Sequence, residues 1–315
     1  MPDVRALIRA SGVALLVACA ACTTAGNQPS RSAPPGADGR GAAITIGSFN
    51  FPESVLLAYL YADALAAKGY PVRVLPNLGP RELVDPALMV GLIQLVPEYT
   101  GSALNFVSLG QVPATASVAT TASALATSMT GRALVTGNAA AAQDGNAIVV
   151  TAATAARYRL RTISDLARVA RQLVFGGPPE CPERAYCLLG LRLDYGLRFR
   201  EFAPLDSGGP LTLQALVAGD IGAALLFTTD PNIRARHLVV LADNRGLQPA
   251  ENVVPVLRRT TVDRFGNGVL AALNAVSARL STAALTELDA QVELDGRAPR
   301  AVAGHWLRAQ GLETP

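Results

Sequence analysis

The sequence predicts an α/β protein with two lobes, each a mostly parallel sheet flanked by helices. Short apolar runs alternate with amphipathic stretches of helical length, which is the rhythm of successive βαβ units. The chain has 315 residues, enough for two lobes that each bury a core. Half of the residues are hydrophobic and 16% are charged, which excludes a largely disordered chain.

The first unit of this rhythm begins near residue 43. Ala43–Gly47 is predicted as the first strand, and Glu53–Lys68 as the amphipathic helix that follows it. Pro71–Pro76 and Ile93–Pro97 are predicted as the second and third strands. An alanine- and threonine-rich segment then favours a helix at Ser117–Thr130.

A second unit follows with the same alternation. Helix is indicated most clearly where an apolar segment ends at Gly219, a residue that readily stops a helix. The predicted elements are the strand Ala147–Val150, the helix Ser164–Val169, the strand Leu173–Phe175, the helices Gly190–Tyr195 and Leu211–Ala218, and the strand Ile221–Phe227.

Two crossings between the lobes are expected, near Gly137–Asn146 and Phe227–Asp230. They divide the chain into lobe 1, residues 43–144 plus 228–315, and lobe 2, residues 145–227. The last part of lobe 1 is predicted to end in helices near Gly268–Leu280, Ser281–Val292 and Pro299–Gln310. Two crossings suit a clamshell that closes on a ligand by bending a few residues at the ends of elements.

The N-terminal 22 residues read as a bacterial lipoprotein signal region. Arg5 and Arg9 give a positive start, and Ala10–Ala18 is an apolar run too short to span a bilayer. Cys19 fits the processing motif, while cleavage before Cys22 would leave no spare thiol, so either cysteine is a candidate lipid anchor. Such an anchor would hold the protein at the outer face of the plasma membrane. Residues 23–42, rich in Pro, Gly, Ser and Ala, predict a flexible tether.

The composition argues against two other classes of function. The net charge of +3 is spread out, and no basic run is interleaved with aromatic residues, so nucleic-acid binding is not expected. The only histidines are His237 and His305, and the sequence has no G-x-S-x-G motif and no cluster of metal-ligand residues. We therefore predict no catalysis, no metal and no cofactor.

Cys181 and Cys187 form a second pair of cysteines, separated by six residues. Export would expose them to an oxidising compartment, and the spacing can close if the loop turns back at Pro182-Glu183. A metal site would need further ligands nearby. A disulfide is favoured over two free thiols.

The segment Ile93–Gly101, I-Q-L-V-P-E-Y-T-G, is the most informative stretch. We expect Pro97 to end the strand, because it has no N–H for the ladder. Glu98, Tyr99 and Thr100 would then lie at the carboxyl end of the strand, the edge where ligands bind in open α/β sheets. An ordinary strand–turn–helix junction is the alternative.

Seven short segments, in a fixed order along the chain, carry a resemblance to a known family. They are I-G-S-F-N-F-P-E-S (Ile46–Ser54), L-G-P-R-E (Leu78–Glu82), P-E-Y-T-G (Pro97–Gly101), F-G-G-P-P-E-C (Phe175–Cys181), Y-G-L (Tyr195–Leu197), A-L-L-F-T-T-D (Ala224–Asp230) and P-A-E-N-V-V-P-V (Pro249–Val256). Together they resemble the solute-binding proteins of osmoprotectant ABC transporters, the glycine betaine, choline and carnitine binders of the ProX and OpuC type.

The resemblance implies a type II periplasmic-binding-protein fold and a monomer. It also implies a lipoprotein that delivers a small solute to an ABC permease and its cytoplasmic ATPase. In the family, tyrosines cage a trimethylammonium group by cation–π attraction, and basic and hydroxyl groups meet the ligand carboxylate. The implied ligand-binding residues are Phe49, Asn50, Arg81, Tyr99, Ser102, Asn146, Arg184, Phe227 and Thr228.

This sequence departs from the family pattern at several of those positions. Tyr99 matches a cage tyrosine, and Phe227 keeps an aromatic face without a hydroxyl. Asn146 and Leu213 stand where relatives have two more tyrosines, and Phe49 replaces a lysine of some relatives. Glycine betaine, choline or a related compatible solute is the expected ligand. Open alternatives are an aromatic or heterocyclic solute on the same scaffold, or an envelope or sensory lipoprotein.

Two further tyrosines, Tyr186 and Tyr195, could fill the missing walls of the cage. We expect a packing role for both.

Overall fold

Two five-stranded sheets, each covered by helices, organise residues 43–313, which are the residues described by a computed structural model. The predicted signal region, the tether and the candidate anchor cysteines Cys19 and Cys22 lie outside the described residues. The strands are β1 (Ile44–Gly47), β2 (Val72–Leu75), β3 (Leu95–Tyr99), β4 (Leu134–Thr136), β5 (Asn146–Thr151), β6 (Val174–Gly177), β7 (Glu201–Pro204), β8 (Ala223–Phe227), β9 (Leu238–Val240) and β10 (Val253–Arg258).

Helices cover both sheets and connect most of the strands. Two short 3₁₀ helices, Ile163–Arg168 and Ala170–Gln172, replace the α-helix predicted at Ser164–Val169. The α-helices are α1 (Pro52–Ala66), α2 (Arg81–Val90), α3 (Thr100–Ser108), α4 (Val118–Thr130), α5 (Ala152–Tyr158), α6 (Leu188–Tyr195), α7 (Pro210–Ala218), α8 (Pro231–Ala235), α9 (Arg259–Phe265), α10 (Gly268–Ser277), α11 (Thr282–Glu293) and α12 (Pro299–Ala309).

Each sheet has one strand that runs against the other four. The first sheet has the order β2-β1-β3-β10-β4, with β10 antiparallel to both of its neighbours. The second has the order β7-β6-β8-β5-β9, with β5 antiparallel to both of its neighbours. Both reversed strands are the first element after the chain changes sheet. The sheets are therefore mixed, with four of five strands pointing the same way.

Pro97 does not end the third strand, contrary to the sequence expectation. The strand continues to Tyr99, and Pro97 faces Pro255 of the antiparallel strand β10. Thr100 N donates to Asn252 O at 3.0 Å, so the residues that exchange hydrogen bonds with β10 alternate with Pro97. Pro97 and Pro255 thus occupy a pair of positions where the ladder needs no N–H from either residue.

The predicted boundary of the second lobe is also wrong at one strand. Strand β9 lies within residues 228–315, which the sequence analysis assigned to lobe 1, but it hydrogen-bonds to β5 of the second sheet. The chain therefore returns to the first sheet between β9 and β10. The apolar run Leu238–Val240 has the composition of a strand, but the sheet that it joins is decided by its pairing with β5.

The cores follow from the side-chain periodicity of the elements. In the first sheet, Ile44 and Ile46 are fully buried, and α1 packs Leu57 and Tyr61 into the same core. In the second sheet, Ile148 and Val150 point into one apolar cluster, whereas Ala147 and Val149 point into another. This alternation places covering elements on both faces of the second sheet.

The loop between β6 and α6 is closed by a disulfide between Cys181 and Cys187, as predicted. Helix α6 packs closely behind this loop at Gly190. A Cβ placed on Gly190 would lie 1.9 Å from Ala185 O and 2.5 Å from Leu247 Cδ1. Backbone contact at this helix therefore fixes the position of the loop.

Among residues 43–313, no single helix is long and apolar enough to cross a membrane. The pair α10 and α11 meets that criterion only when taken together, and the two helices are bent by 86° at their junction.

We predict that Gly190→Ala destabilises the protein, because the added methyl group overlaps the backbone of the disulfide loop. Overpacking of this kind costs about 1–3 kcal/mol of the free energy of unfolding, measured by urea denaturation. Gly131→Ala is the matched control, since a Cβ there would meet only Ser128 O, at 3.9 Å. Equal stability of Gly190→Ala and the wild type would contradict the prediction and would show that the disulfide loop shifts to accommodate the added methyl group.

Candidate ligand-binding site

One cavity of about 290 Å³ lies between the two sheets. The first sheet contributes residues that follow β1 and β3, and the second contributes residues that follow β6 and β8. These are the carboxyl ends of strands that share one direction within each sheet, the edge at which α/β proteins bind ligands. The cavity is therefore the candidate site.

Aromatic rings form one wall of the cavity, with Phe51 at its centre. The centroid of the Phe51 ring lies 6.0 Å from that of Phe49, 6.1 Å from that of Tyr99 and 5.0 Å from that of Phe227. Phe51 has extended backbone just before α1, which turns its side chain towards the cavity rather than into the helix. Two π-faces from the first sheet and one from the second thus meet around Phe51.

The hydroxyl of Tyr99 is held beneath this wall by a buried carboxyl group. Tyr99 Oη donates to Glu53 Oε1 at 2.5 Å, and Thr229 Oγ1 donates to Glu53 Oε2 at 2.7 Å. Because Tyr99 ends β3 and Thr229 follows β8, Glu53 joins the two sheets. The Tyr99 ring is thereby fixed as part of the cavity wall.

Four further carboxyl groups surround Glu53 at the junction of the sheets: Asp144, Asp230, Asp289 and Glu293. Burial raises the pKa of Glu53, and burial together with the charge of Glu53 raises those of Asp144 and Asp289 well above the ordinary value. Burial, with Asp230 and Glu53 nearby, raises the pKa of Glu293 to about 8. Within residues 43–313, none of the five forms a salt bridge with a basic side chain. The cluster therefore favours protonated carboxyls.

Arg81 lines the first-sheet side of the cavity and is paired with a buried carboxylate through Nε and Nη2. Its Nε donates to Glu98 Oε1 at 2.9 Å and its Nη2 donates to Glu98 Oε2 at 2.8 Å. The guanidinium also lies 5.0 Å from the ring centroid of Phe49. The Glu98 side chain is completely buried, so this bidentate pair is part of the protein interior.

Arg184 reaches across from the disulfide loop to the first sheet. Its Nη2 donates to Glu82 Oε2 at 2.8 Å and its Nε donates to Glu82 Oε1 at 3.3 Å. Glu180 Oε2 lies 4.0 Å from the same Nη2. Because Glu82 belongs to α2, the ion pair bridges the two sides of the cleft.

Glu251 lies at the N-terminus of α3, inside the cavity wall. Its Oε2 accepts hydrogen bonds from the N–H groups of Gly101 and Ser102, both at 3.0 Å, and its Oε1 accepts one from Ser102 Oγ. Burial raises the pKa of Glu251 to about 7, while the hydrogen bonds from Ser102 and the charge of Arg81 oppose that rise. Ser102 is thus already bonded to a protein carboxylate.

The cavity brings together eight of the nine residues implied by the resemblance: Phe49, Asn50, Arg81, Tyr99, Ser102, Asn146, Arg184 and Phe227. Thr228 lies outside it, because its hydroxyl accepts from Gly145 N and donates to Asp144 at the crossing between sheets. Leu213 does not line the cavity either. Tyr195 has the expected packing role, with its hydroxyl bonded to Asp243, whereas Tyr186 lines the cavity. A binding role for these residues stays a prediction.

Other cavity residues were not assigned from the sequence: Phe51, Asn105, Phe106, Asp144, Asp206 and Glu251. Phe51 and Glu251 lie inside two of the segments that carry the resemblance, so position in those segments was the available signal. Among the described residues, no group of three or more His, Cys, Asp and Glu side chains is arranged to hold a metal ion.

Comparison with known proteins identifies the family to which this chain belongs. Residues 42–309 match the family described as the substrate binding domain of ABC-type glycine betaine transport system, OpuAC. The chain belongs to this family. It is therefore the solute-binding component of an ABC importer, a transport protein that works outside the cytoplasm, with the type II periplasmic-binding-protein fold.

Individual relatives agree with the family. The glycine-betaine-binding protein of Pseudomonas aeruginosa is 26% identical over 280 residues, which cover 85% of this chain and 88% of that protein. The ergothioneine transport permease/ergothioneine binding protein EgtU of Helicobacter pylori is 27% identical over 165 residues, which cover 52% of this chain but only 29% of that longer protein. A crystal structure of a glycine betaine/carnitine/choline ABC transporter protein shares the fold, with a TM-score of 0.66, 21% identity, and coverage of 85% of this chain and 99% of that one.

We predict that the free energy of unfolding falls as the pH rises from about 4.5 to about 8, the ordinary and folded-state pKa values of Glu293. In this window the folded state retains a proton that the unfolded state releases. One such group lowers the stability by up to about 1.4 kcal/mol per pH unit.

Urea denaturation at several pH values tests this. Glu293→Gln should flatten the decline, whereas Glu287→Gln, which removes an exposed carboxyl of the same helix, should not. A decline that is identical in wild type and Glu293→Gln contradicts the prediction.

Proposed function

We propose that this chain captures a small osmoprotectant-type solute with a quaternary ammonium group, such as glycine betaine, choline or a relative, and delivers it to an ABC permease driven by a cytoplasmic ATPase. The aromatic wall around Phe51 carries this proposal. A methylated ammonium group cannot donate a hydrogen bond, so π-faces are the natural partners for it. Four rings from two sheets are available in one cavity.

Phe227 and Phe51 would substitute for the missing tyrosines of the cage. The resemblance places tyrosines at Asn146 and Leu213, but neither position supplies an aromatic ring here. Phe51 lies between Phe49 and Phe227 and offers an aromatic ring at a position that the family resemblance did not assign to ligand binding. Tyr186, from the disulfide loop, adds a further ring to the cavity lining. The cage is rebuilt from different positions.

Capture would use closure of the cleft rather than chemistry. The Arg184–Glu82 ion pair joins the two sides across the cavity and would hold the closed form. We propose no catalytic activity, since His237 and His305 both lie outside the cavity lining. The N-terminal signal region would attach the protein to the outer face of the plasma membrane through Cys19 or Cys22, and the protein would act as a monomer.

We predict that glycine betaine, choline or both raise the melting temperature of the purified protein, because a ligand at one hundred times its Kd adds about 2.7 kcal/mol of stability. Thermal-shift measurements with each compound test this. Ergothioneine, the solute named for the Helicobacter pylori relative, completes the panel. Ergothioneine also carries a trimethylammonium group, so a shift with ergothioneine alone would exclude glycine betaine and choline as the solute but keep the quaternary-ammonium class, whereas no shift with any of the three compounds would contradict that class.

Phe227→Leu should then weaken binding by roughly thirtyfold, the equivalent of one lost cation–π contact of about 2 kcal/mol. Phe227→Tyr keeps the ring and is the matched control, expected to bind like the wild type. Equal affinity of Phe227→Leu and Phe227→Tyr would exclude a role for the ring.

A further inference from the structure

Four groups that commonly bind anions lie at the cavity or are bonded to a residue that lines it: the guanidinium groups of Arg81 and Arg184, and the N-termini of helices α3 and α7. They are the elements with which a binding protein would hold the carboxylate of a zwitterionic solute. In this chain each of them already holds a carboxylate of the protein itself.

The helix termini are occupied by Glu251 and Asp206. Glu251 accepts the N–H groups of Gly101 and Ser102 at the start of α3, as described above. At the start of α7, Asp206 Oδ2 accepts from Leu211 N at 2.9 Å and Asp206 Oδ1 accepts from Thr212 N at 2.8 Å. Both acids line the cavity. The positive ends of the two helices are therefore neutralised from inside the cleft.

The guanidinium groups are occupied in the same way. Arg81 is paired through two hydrogen bonds with Glu98, and Arg184 through two with Glu82. Both pairs use Nε and Nη2, so a ligand carboxylate would have to displace the protein carboxylate or bind beside it at the edge of the guanidinium that includes Nη1. Displacement of Glu98 would leave a completely buried, unpaired charge, which costs several kcal/mol.

The net charge of the cavity lining also disfavours a ligand that carries a carboxylate. Two arginines line the cavity, against five carboxyl side chains: Glu82, Asp144, Glu180, Asp206 and Glu251. Even with Asp144 and Glu251 protonated, acids outnumber bases. A cation entering this cavity is attracted, and a carboxylate meets acids where it would need donors.

We infer that the cleft selects cations that carry no carboxylate, choline-like rather than betaine-like solutes, and that Glu251 is a specificity-determining residue for this choice. The inference rests on the proposed function, because it assumes a quaternary ammonium ligand against the aromatic wall. Glu251 excludes carboxylates by occupying the N-terminus of α3 and Ser102, and it supplies negative charge close to a bound cation.

Choline and glycine betaine form a matched pair for the test. Both carry a trimethylammonium group, and they differ in a hydroxymethyl group against a carboxylate. Isothermal titration calorimetry of the purified full-length chain should give a Kd for choline at least tenfold below that for glycine betaine. Equal affinities, or tighter binding of glycine betaine, would overturn the inference and leave the proposed function intact. Absence of binding by both compounds would overturn the proposed function and the inference with it.

Two variants assign the selectivity to the internal carboxylates. Glu251→Gln keeps an oxygen to accept hydrogen bonds but loses the charge that Glu251 carries above its pKa of about 7, so at pH 8 it should weaken choline binding by roughly tenfold without weakening glycine betaine binding. Glu82→Gln frees Arg184, and because loss of the ion pair across the cleft weakens both ligands alike, it should lower the ratio of the glycine betaine Kd to the choline Kd several-fold. The partly exposed position of Glu82 makes this the variant of choice if Glu251→Gln does not fold.

Glu183→Gln is the control, because it removes an exposed charge from the same loop as Arg184 without changing the cavity lining. It should leave the ratio of the two Kd values unchanged. The same ratio in the wild type, Glu251→Gln and Glu82→Gln would overturn the assignment.

Discussion

A single buried carboxyl group, that of Glu53, connects the parts of this molecule that a ligand would meet. It accepts from Tyr99 at the end of β3 and from Thr229 just after β8, so one side chain in the first turn of α1 spans both sheets. Its position follows from Phe51-Pro52, where extended backbone gives way to helix and turns the Phe51 ring into the cavity. The aromatic wall and the junction of the sheets therefore share one support. Asp144 and Asp289 adjoin Glu53, and no salt bridge with a basic side chain reaches the cluster in residues 43–313. Burial raises the pKa of these three carboxyls, which favours their protonated forms, and the hydroxyls of Tyr99 and Thr229 hold Glu53 in place.

The sequence was sufficient for the fold class because apolar periodicity reports burial directly. The strands β1, β2 and β8 and the helices α1 and α7 lie within a few residues of their predicted bounds. Errors arose where pairing partners decide the outcome. Pro97 stays in its strand because its neighbour across the ladder is Pro255, more than 150 positions away, and β9 belongs to the second sheet because it pairs with β5. Neither partner can be identified from local composition.

In the candidate site, too, residues could be located from their own segments of sequence, whereas their contact partners could not. Tyr99 and Phe227 were recognisable because they lie at strand ends within segments that resemble a family. The partners that change the meaning of those segments are distant along the chain: Ser102 meets a carboxylate 149 residues away, and Arg184 meets one 102 residues away. A basic or hydroxyl side chain in a matching position predicts an anion site only if its donors are free. Whether they are free is a property of the folded contacts, so the resemblance could locate these residues without fixing what they bind.

Retention of the arginines in a cleft crowded with acids has a structural reason. The guanidinium of Arg81 lies over the ring of Phe49 and forms two hydrogen bonds with a carboxylate that has no exposed surface. Loss of Arg81 would leave Glu98 buried without a counter-charge, a change that is strongly destabilising. Pairing of Arg81 with Glu98 instead offsets the charge of the arginine and leaves the aromatic wall of the cavity intact. Arg184 likewise serves the contact between the two sides of the cleft through Glu82. A scaffold of this kind can change the charge of the ligand it accepts without losing its basic residues, provided that an acid is brought within reach of each one.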